Sequence, residues 1–297
     1  MSRLASVLLS TNLTLKIIKS NCHLRSFLHG VNFEKKEDNI KWQECEEVMP
    51  SKQLKDFDEM VKHANMFTCG DIEIGHINVN EAIANMSLEN ASKLAEEENS
   101  DLVTGIYEGG LKIWECTKDM LEYLADNESK IILRDKKVLD LGCGAGILGI
   151  YSFLKGSKVT FQDYNREVLE YVTIPNVILN IEEEDAWEQE LKKCNFFSGD
   201  WSSFNKKLGD DDKFDIILTS ETIYNEDNYE KLTNLFIKRL KEDGVVYVAA
   251  KTCYFGVGGG IRQFESSINS NKSLDCEVCW KNTHGIQREI LKITRKL

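Results

Sequence analysis

The segment Val138-Leu-Asp-Leu-Gly-Cys-Gly-Ala-Gly-Ile-Leu-Gly149 constrains this chain more than any other. A short apolar run meets three alternate glycines and then a helix-forming stretch. That order predicts a buried strand, a tight turn and a helix start. Glycine admits the turn and lets backbone approach a ligand where a Cβ would intrude. The helix start presents N–H groups that have no partner within the helix. Taken alone the pattern is ambiguous, because Gly144 to Gly149 also satisfies the GxGxxG fingerprint of dinucleotide sites.

From Lys137 onward strand-like and helix-like stretches alternate. The runs 138–141, 158–163, 195–197, 214–219 and 245–250 predict strands. Residues 111–124, 146–154, 166–180 and 228–241 predict helices, with Pro175 kinking or splitting the third. Two alternating runs, 274–281 and 287–293, join at His284-Gly285 and predict a terminal antiparallel hairpin with no helix between its strands. Alternating β and α requires an α/β fold, here a mostly parallel Rossmann-like sheet with helices on both faces. Such a sheet binds its ligand at the carboxyl ends of its strands.

Three predicted strand ends carry acids in order. Asp140 lies on the strand just before Gly142. There it would repel a pyrophosphate and favour the cationic amino-acid end of S-adenosylmethionine. Asp163, in Phe161-Gln162-Asp163-Tyr164, follows about 20 residues on, as a nucleoside cofactor requires, and can accept both ribose hydroxyls. Gly199-Asp200-Trp201 ends the third strand. An acid there can read an adenine amino group, and Trp201 can pack on the ring. Each acid alone is equally a helix cap or turn residue. Together with Gly142, Gly144 and Gly146 they point to S-adenosylmethionine.

Charge divides the chain. Its 37 basic and 49 acidic side chains give a net charge of −12. Residues 1–33 carry +4 with no acid, and residues 34–101 carry −10. This predicts a basic flexible leader (1–33), an acidic arm (34–104) and a main domain (105–297). The leader has the composition of a mitochondrial transit peptide, and equally of an ordinary tail. Glu96-Glu97-Glu98-Asn99-Ser100 reads as a solvated linker. The acidic balance argues against nucleic-acid binding through phosphates and suits a basic partner. No apolar run reaches the ~18–20 residues of a membrane span. The 9 cysteines are scattered and fit reduced thiols. The CxxC at Cys276 and Cys279 has no second Cys/His pair, so no metal site is predicted. A monomer is expected.

The sequence strongly resembles the protein-histidine methyltransferases, a branch of the seven-stranded S-adenosylmethionine-dependent methyltransferases. The resemblance runs from about Gly105 to the C-terminus. It rests on Tyr107-Glu-Gly-Gly-Leu-Lys-Ile-Trp-Glu-Cys-Thr117, the loop Asp140 to Gly146, Phe161-Gln-Asp-Tyr-Asn165, Phe196-Phe-Ser-Gly-Asp-Trp201, Leu218-Thr-Ser-Glu-Thr-Ile-Tyr-Asn225 and Tyr254-Phe-Gly-Val-Gly-Gly-Gly260. The family usually has Glu where this chain has Asp200. The resemblance implies a cofactor site made from Ile113, Trp114, Glu115, Cys116 and Thr117 with Gly142, Gln162, Asp163, Tyr164, Gly199, Asp200, Trp201 and Ser220. It also implies an activity like that of the enzyme that methylates the distal (tele) nitrogen of one histidine in ribosomal protein L-three, a basic large-subunit protein. A cytoplasmic and nuclear location goes with it.

Glu221 and Tyr224 close the fourth predicted strand, and their spacing resembles the acid-x-x-aromatic motif of related protein-lysine methyltransferases. Glu221 is the candidate to orient the acceptor, and Tyr224 to wall its channel. Otherwise Glu221 caps the following helix. Tyr254, Phe255 and the loop from Gly256 to Gly260 are expected at the substrate mouth, or form a plain turn. The alternatives are a protein-lysine methyltransferase of the same fold, or a non-catalytic binding module for a basic ribosomal protein. An NAD site survives only if Gly144 to Gly149 is read out of context.

Overall fold

Short apolar runs become the parallel centre of one sheet because both of their faces are covered. The computed structural model describes residues 42–50, 62, 64–78, 106–183, 186–256 and 258–296. The predicted leader, its targeting reading and the linker at 96–100 lie outside the described residues. The described strands are β1 (Glu46–Glu47), β2 (Ala64–Cys69), β3 (Ile72–Ile77), β4 (Lys137–Leu141), β5 (Lys158–Asp163), β6 (Cys194–Ser198), β7 (Phe214–Ser220), β8 (Leu240–Lys251), β9 (Leu274–Lys281) and β10 (Arg288–Arg295). Eight form one sheet in the order β1-β6-β5-β4-β7-β8-β10-β9, and β2 pairs with β3 alone. The pairs β6–β5, β5–β4, β4–β7 and β7–β8 are parallel. The terminal strands β9 and β10 form the expected antiparallel pair. In β4, Val138, Leu139 and Leu141 are fully buried, as in a strand sandwiched between helix layers.

The helices are α1 (Glu115–Asp126), α2 (Ile147–Leu154), α3 (Arg166–Val168, Leu169–Thr173 and Ile174–Leu179 in succession), α4 (Trp187–Leu191), α5 (Trp201–Lys207), α6 (Tyr229–Arg239) and α7 (Ile261–Ser270). One buried cluster joins α1, α2 and α3 to the sheet, and another joins α5, α6 and α7 to it. Helices thus cover both faces. The middle of α3 is π-helical, directly before Pro175. Proline lacks an N–H and clashes with the carbonyl four residues back; a wider turn relieves both faults without breaking the helix.

Strands β2 and β3 and helices α4 and α5 have no counterpart in the sequence expectation, and three further elements differ from it. The sheet has eight strands, not seven, because Glu46 and Glu47 pair antiparallel with Ser198 and Phe197 of β6. Both glutamates are exposed, so no apolar pattern marks them. They form a strand because an edge offers unpaired backbone groups. A helix, α7, lies between β8 and β9 where none was expected. Its buried residues are only Ile261, Phe264 and Ile268, a stripe diluted by Arg, Gln, Glu and Ser. The predicted helix at 111–124 starts only at Glu115.

Cys276 packs against one core cluster and Cys279 against the other. The two thiols therefore face opposite sides of β9 and cannot share a ligand. No described helix is long and apolar enough to cross a membrane.

Gly149 illustrates how tightly α2 seats on β5. A Cβ there would stand 2.2 Å from Phe161 Cε1, inside van der Waals contact. An alanine in a helix normally stabilises by about 1 kcal/mol over glycine. Here Gly149→Ala is expected to destabilise by about 1–3 kcal/mol through overpacking, read as a lower urea midpoint.

Candidate active site

β4 runs between β5 and β7, and the chain's crossovers diverge from it. That is the topological switch point at which an open α/β sheet leaves a crevice. The glycine loop fills the lip of this crevice. Gly142, Gly144 and Gly146 all have positive φ, at 65°, 50° and 76°, a region that side chains with a Cβ avoid. Gly144 also stands against Gly110, whose carbonyl a Cβ would meet at 2.9 Å.

Two buried carboxylates hold the loop. Asp163 Oδ2 accepts from Gly144 N at 2.8 Å, and its Oδ1 from Asn165 N at 3.1 Å. Asp140 Oδ2 accepts from Gly149 N at 2.8 Å, within the first turn of α2. Burial pushes Asp163 up to about 6, partly offset by the Gly144 and Asn165 N–H groups. Burial pushes Asp140 up to about 8, partly offset by Gly149 N–H. The start of α2, where a dinucleotide site would place its pyrophosphate, is thus already capped by a side chain.

The crevice is a cavity of about 880 Å³, counting the space open to solvent. Of the predicted residues, Ile113, Trp114, Thr117, Asp140, Gly142, Gly144, Asp163, Tyr164, Gly199, Asp200, Trp201, Ser220, Glu221 and Tyr224 line it. Glu115, Cys116, Gly146 and Gln162 do not face it. Gln162 lies under the floor: its Nε2 donates to Gly199 O at 2.8 Å, and its Oε1 accepts from Trp201 Nε1 at 2.9 Å. Cys116 is buried in α1 and its thiol is held protonated by desolvation and by Glu221. Glu115 turns outward to Lys251, 2.9 Å away. Gly146 packs against Thr173 and Phe161.

Asp200 is more engaged than the sequence suggested. Its Oδ1 caps α5 through Ser202 N at 2.9 Å, and its Oδ2 accepts from Lys231 Nζ at 2.7 Å. Thr117 Oγ1 donates to Ser220 Oγ at 3.2 Å, which sets two hydroxyls side by side near the start of α1.

Glu221 has φ of 60°, a left-handed backbone that is strained for any residue but glycine. Its Oε1 accepts from Cys116 N at 3.4 Å, and its Oε2 from the Tyr254 hydroxyl. The carboxylate thus reaches the start of α1, whose Trp114 cap supplies no side-chain bond. The expected alternative of capping the following helix is not what the geometry shows. Beside it, the Tyr224 hydroxyl donates to Glu108 Oε2. The Tyr224 and Tyr254 rings meet edge-on at 6.4 Å. Burial, then the adjacent carboxylate, holds each phenol well above its ordinary value, so both remain donors. Two carboxylate–phenol pairs therefore stand together at the β7 end of the cavity.

After the turn at Tyr254, Phe255 and Gly256 the chain packs back on this corner at Gly259, where a Cβ would strike the backbone of Ile223 and Tyr224, whereas Gly256 itself has open space around it. Phe255 is 89 % exposed. None of the three lines the cavity itself.

Sequence reasoning missed Glu108, Trp42 and Lys231. Glu108 lies inside the motif 107–117, but its partner Tyr224 is 116 residues away. Asn165 fixes it, accepting from Glu108 N at 3.1 Å. Trp42 is a lone aromatic in an acidic stretch, and nothing local marks it.

The donor set fits S-adenosylmethionine. Asp163 keeps a lone pair on each oxygen for ribose hydroxyls. Tyr164, Trp201 and Trp42 supply flat surfaces at one end for a base. Thr117 and Ser220 supply hydroxyls for a carboxylate at the other.

A family model described as "Lysine methyltransferase" matches residues 87–256. A "Histidine protein methyltransferase 1 homolog" of Dictyostelium discoideum is 45% identical over 202 residues, covering 67% of this chain and 62% of that one. Its namesake in Bos taurus is 43% identical over 229 residues, covering 70% and 61%. "Histidine protein methyltransferase 1" of Saccharomyces cerevisiae is 30% identical over 257 residues, covering 67% and 68%. The chain thus spans about three-fifths of the length of the first two relatives.

Asp163 is expected to make nucleoside binding pH-dependent. Ribose hydroxyls donate to its ionised form, so binding lowers its pKa below about 6. The Asp163 contribution is then full above that pH and lost as pH falls through it. Calorimetric titration with S-adenosylhomocysteine is expected to show affinity weakening toward about tenfold per pH unit below 6. In Asp163→Asn this dependence should vanish and affinity should be low throughout.

Proposed function

The chain belongs to the histidine protein methyltransferases within the family matched at residues 87–256, and on that footing we propose that it transfers a methyl group from S-adenosylmethionine to a histidine of a basic protein. The observation that carries this is the corner at Glu221 and Tyr224, which line the cleft, with the Tyr254 hydroxyl holding Glu221 from behind. The names of the relatives support histidine as the acceptor.

When bound, the cofactor supplies an electrophilic methyl group on a positively charged sulfur. The residues of this chain then have a modest task. A neutral imidazole, with an ordinary pKa of about 6.5, is already a nucleophile near pH 7. No strong base is needed to create it. Glu221 accepts the N–H of one ring nitrogen, which selects the tautomer and turns the other lone pair toward the methyl. Tyr254 and Cys116 N hold the carboxylate still while it does so. As the new N–C bond formed, the methyl–sulfur bond would break and neutral S-adenosylhomocysteine would leave with the bonding pair; the ring would become a cation, which the Glu221 charge would stabilise. Its proton leaves to solvent on release. Tyr224, pinned by Glu108, walls the acceptor channel. Such alignment is worth on the order of 7–11 kcal/mol in favourable intramolecular cases.

The substrate we propose is the large-subunit ribosomal protein L-three, modified at the tele nitrogen, in the cytoplasm and nucleus. The family resemblance supports that choice, and so does the net charge of −12, which draws a basic partner. Phe255 is exposed in the turn after Tyr254, which bonds Glu221, and an apolar side chain there could meet such a protein. The second reading, lysine, is favoured by the description of the matching family model.

Labelled methyl transfer from S-adenosylmethionine into a cell extract, followed by fragmentation mass spectrometry, separates them. Methylhistidine on ribosomal protein L-three is expected, absent with Asp163→Ala. Methyllysine in its place would transfer the chain to the second reading.

A further inference from the structure

Arm residues 42–48 run along the rim of the cleft and are anchored there by backbone. Asp200 N donates to Gln43 O at 2.9 Å, and Gln43 N donates to the Tyr164 hydroxyl at 3.3 Å. Cys45 N donates to Ser203 Oγ at 2.8 Å, and that hydroxyl donates to Glu44 Oε2 at 2.6 Å. Val48 N donates to Phe196 O at 2.8 Å, and Arg166 holds Glu46 at 2.7 Å. The anchors include Tyr164, Asp200 and Ser203, all at the end of the cleft where the aromatic surfaces gather.

Gly199 shows that the body is shaped to receive this strap. Its φ is 108°, and a Cβ would stand 2.5 Å from Glu44 O. A glycine that the sequence assigns to the ligand makes room for the arm.

Trp42 begins the strap and lines the cavity. Its ring meets Tyr164 edge-on, with centroids 6.1 Å apart and planes at 89°. Lys231 Nζ lies 3.3 Å from its centroid and also holds Asp200. The indole is thus fixed from two sides before any ligand arrives, and ordering it costs little on binding. A braced aromatic on the wall of a compartment that already holds Tyr164 and Trp201 suits a flat heteroaromatic base.

We propose that Trp42 contacts the adenine of the cofactor, and that residues 42–48 of the arm are an integral part of the cofactor site. This rests on S-adenosylmethionine being the ligand of the cleft. Calorimetric titration of the full chain with S-adenosylhomocysteine tests it. Trp42→Ala is expected to weaken binding on the order of tenfold, and Trp42→Phe, which keeps a ring, by no more than about threefold. Hydrogen exchange of the unaltered chain gives a readout independent of the variants' folding: the ligand should slow exchange of amides 43–48. Unaltered affinity in a folded Trp42→Ala, or unaltered exchange at 43–48 despite binding, overturns the assignment of Trp42. An unaltered chain that binds no S-adenosylhomocysteine overturns the cofactor itself, and the Trp42 assignment falls with it.

Discussion

The hydrogen bond from Gly144 N to the Asp163 carboxylate organises the molecule. It ties the glycine loop after β4 to the end of β5, and so fixes the lip of the crevice at the point where the sheet order diverges. The carboxylate is buried, which makes its ionisation costly and its N–H partners necessary. Gly144 meets Gly110 on its other side, so the same contact draws in the segment that carries Glu108. Asp140 repeats the device one strand over, anchoring the first turn of α2. With both ends of the loop held, the cleft is shaped by the chain's own bonds. Pre-organisation of this kind reduces what binding must spend on ordering.

The reacting corner is built on a different principle. Glu221 sits in strained backbone at the end of β7, between Tyr254 from one loop and the start of α1. Glu108 and Tyr224 form a parallel pair from elements 116 residues apart. Strain at one residue is tolerated because its neighbours over-determine its position. A reaction whose nucleophile is neutral near pH 7 asks for orientation and dryness, and a rigid carboxylate flanked by neutral phenols supplies the first. Arm and body meet at the opposite end, where Gly199 is left without a side chain to admit backbone from residue 44.

How much the sequence reveals depends on how local the cause is. Strand β4 was legible because burial on both faces leaves it nearly all apolar, and β5 because Val159 and Phe161 alternate along it and an acid closes it. The π-helical turn before Pro175 follows from the chemistry of one residue. Strand β1 was not legible, since two exposed glutamates become a strand only through the edge of β6. Helix α7 hides a three-residue apolar stripe in polar sequence after a glycine run. The same divide runs through the site. Asp163 and the loop stand out by spacing and do line one cavity, whereas Glu108 is brought to it only by its contact with Tyr224, and Trp42 only by Tyr164 and Lys231. Gln162 belongs to a legible motif yet works one layer down, aligning Gly199 and Trp201.

The central claim is that this cleft aligns a nucleophile that is already neutral and does not generate one. The pH dependence of single-turnover methyl transfer, at saturating S-adenosylmethionine and acceptor protein, tests it most directly. The account predicts a rate that rises through the acceptor imidazole's pKa, about 6.5 when unperturbed, and is level from there to about pH 9. A rate still climbing tenfold per unit toward about pH 10, the range of an amine, would contradict it.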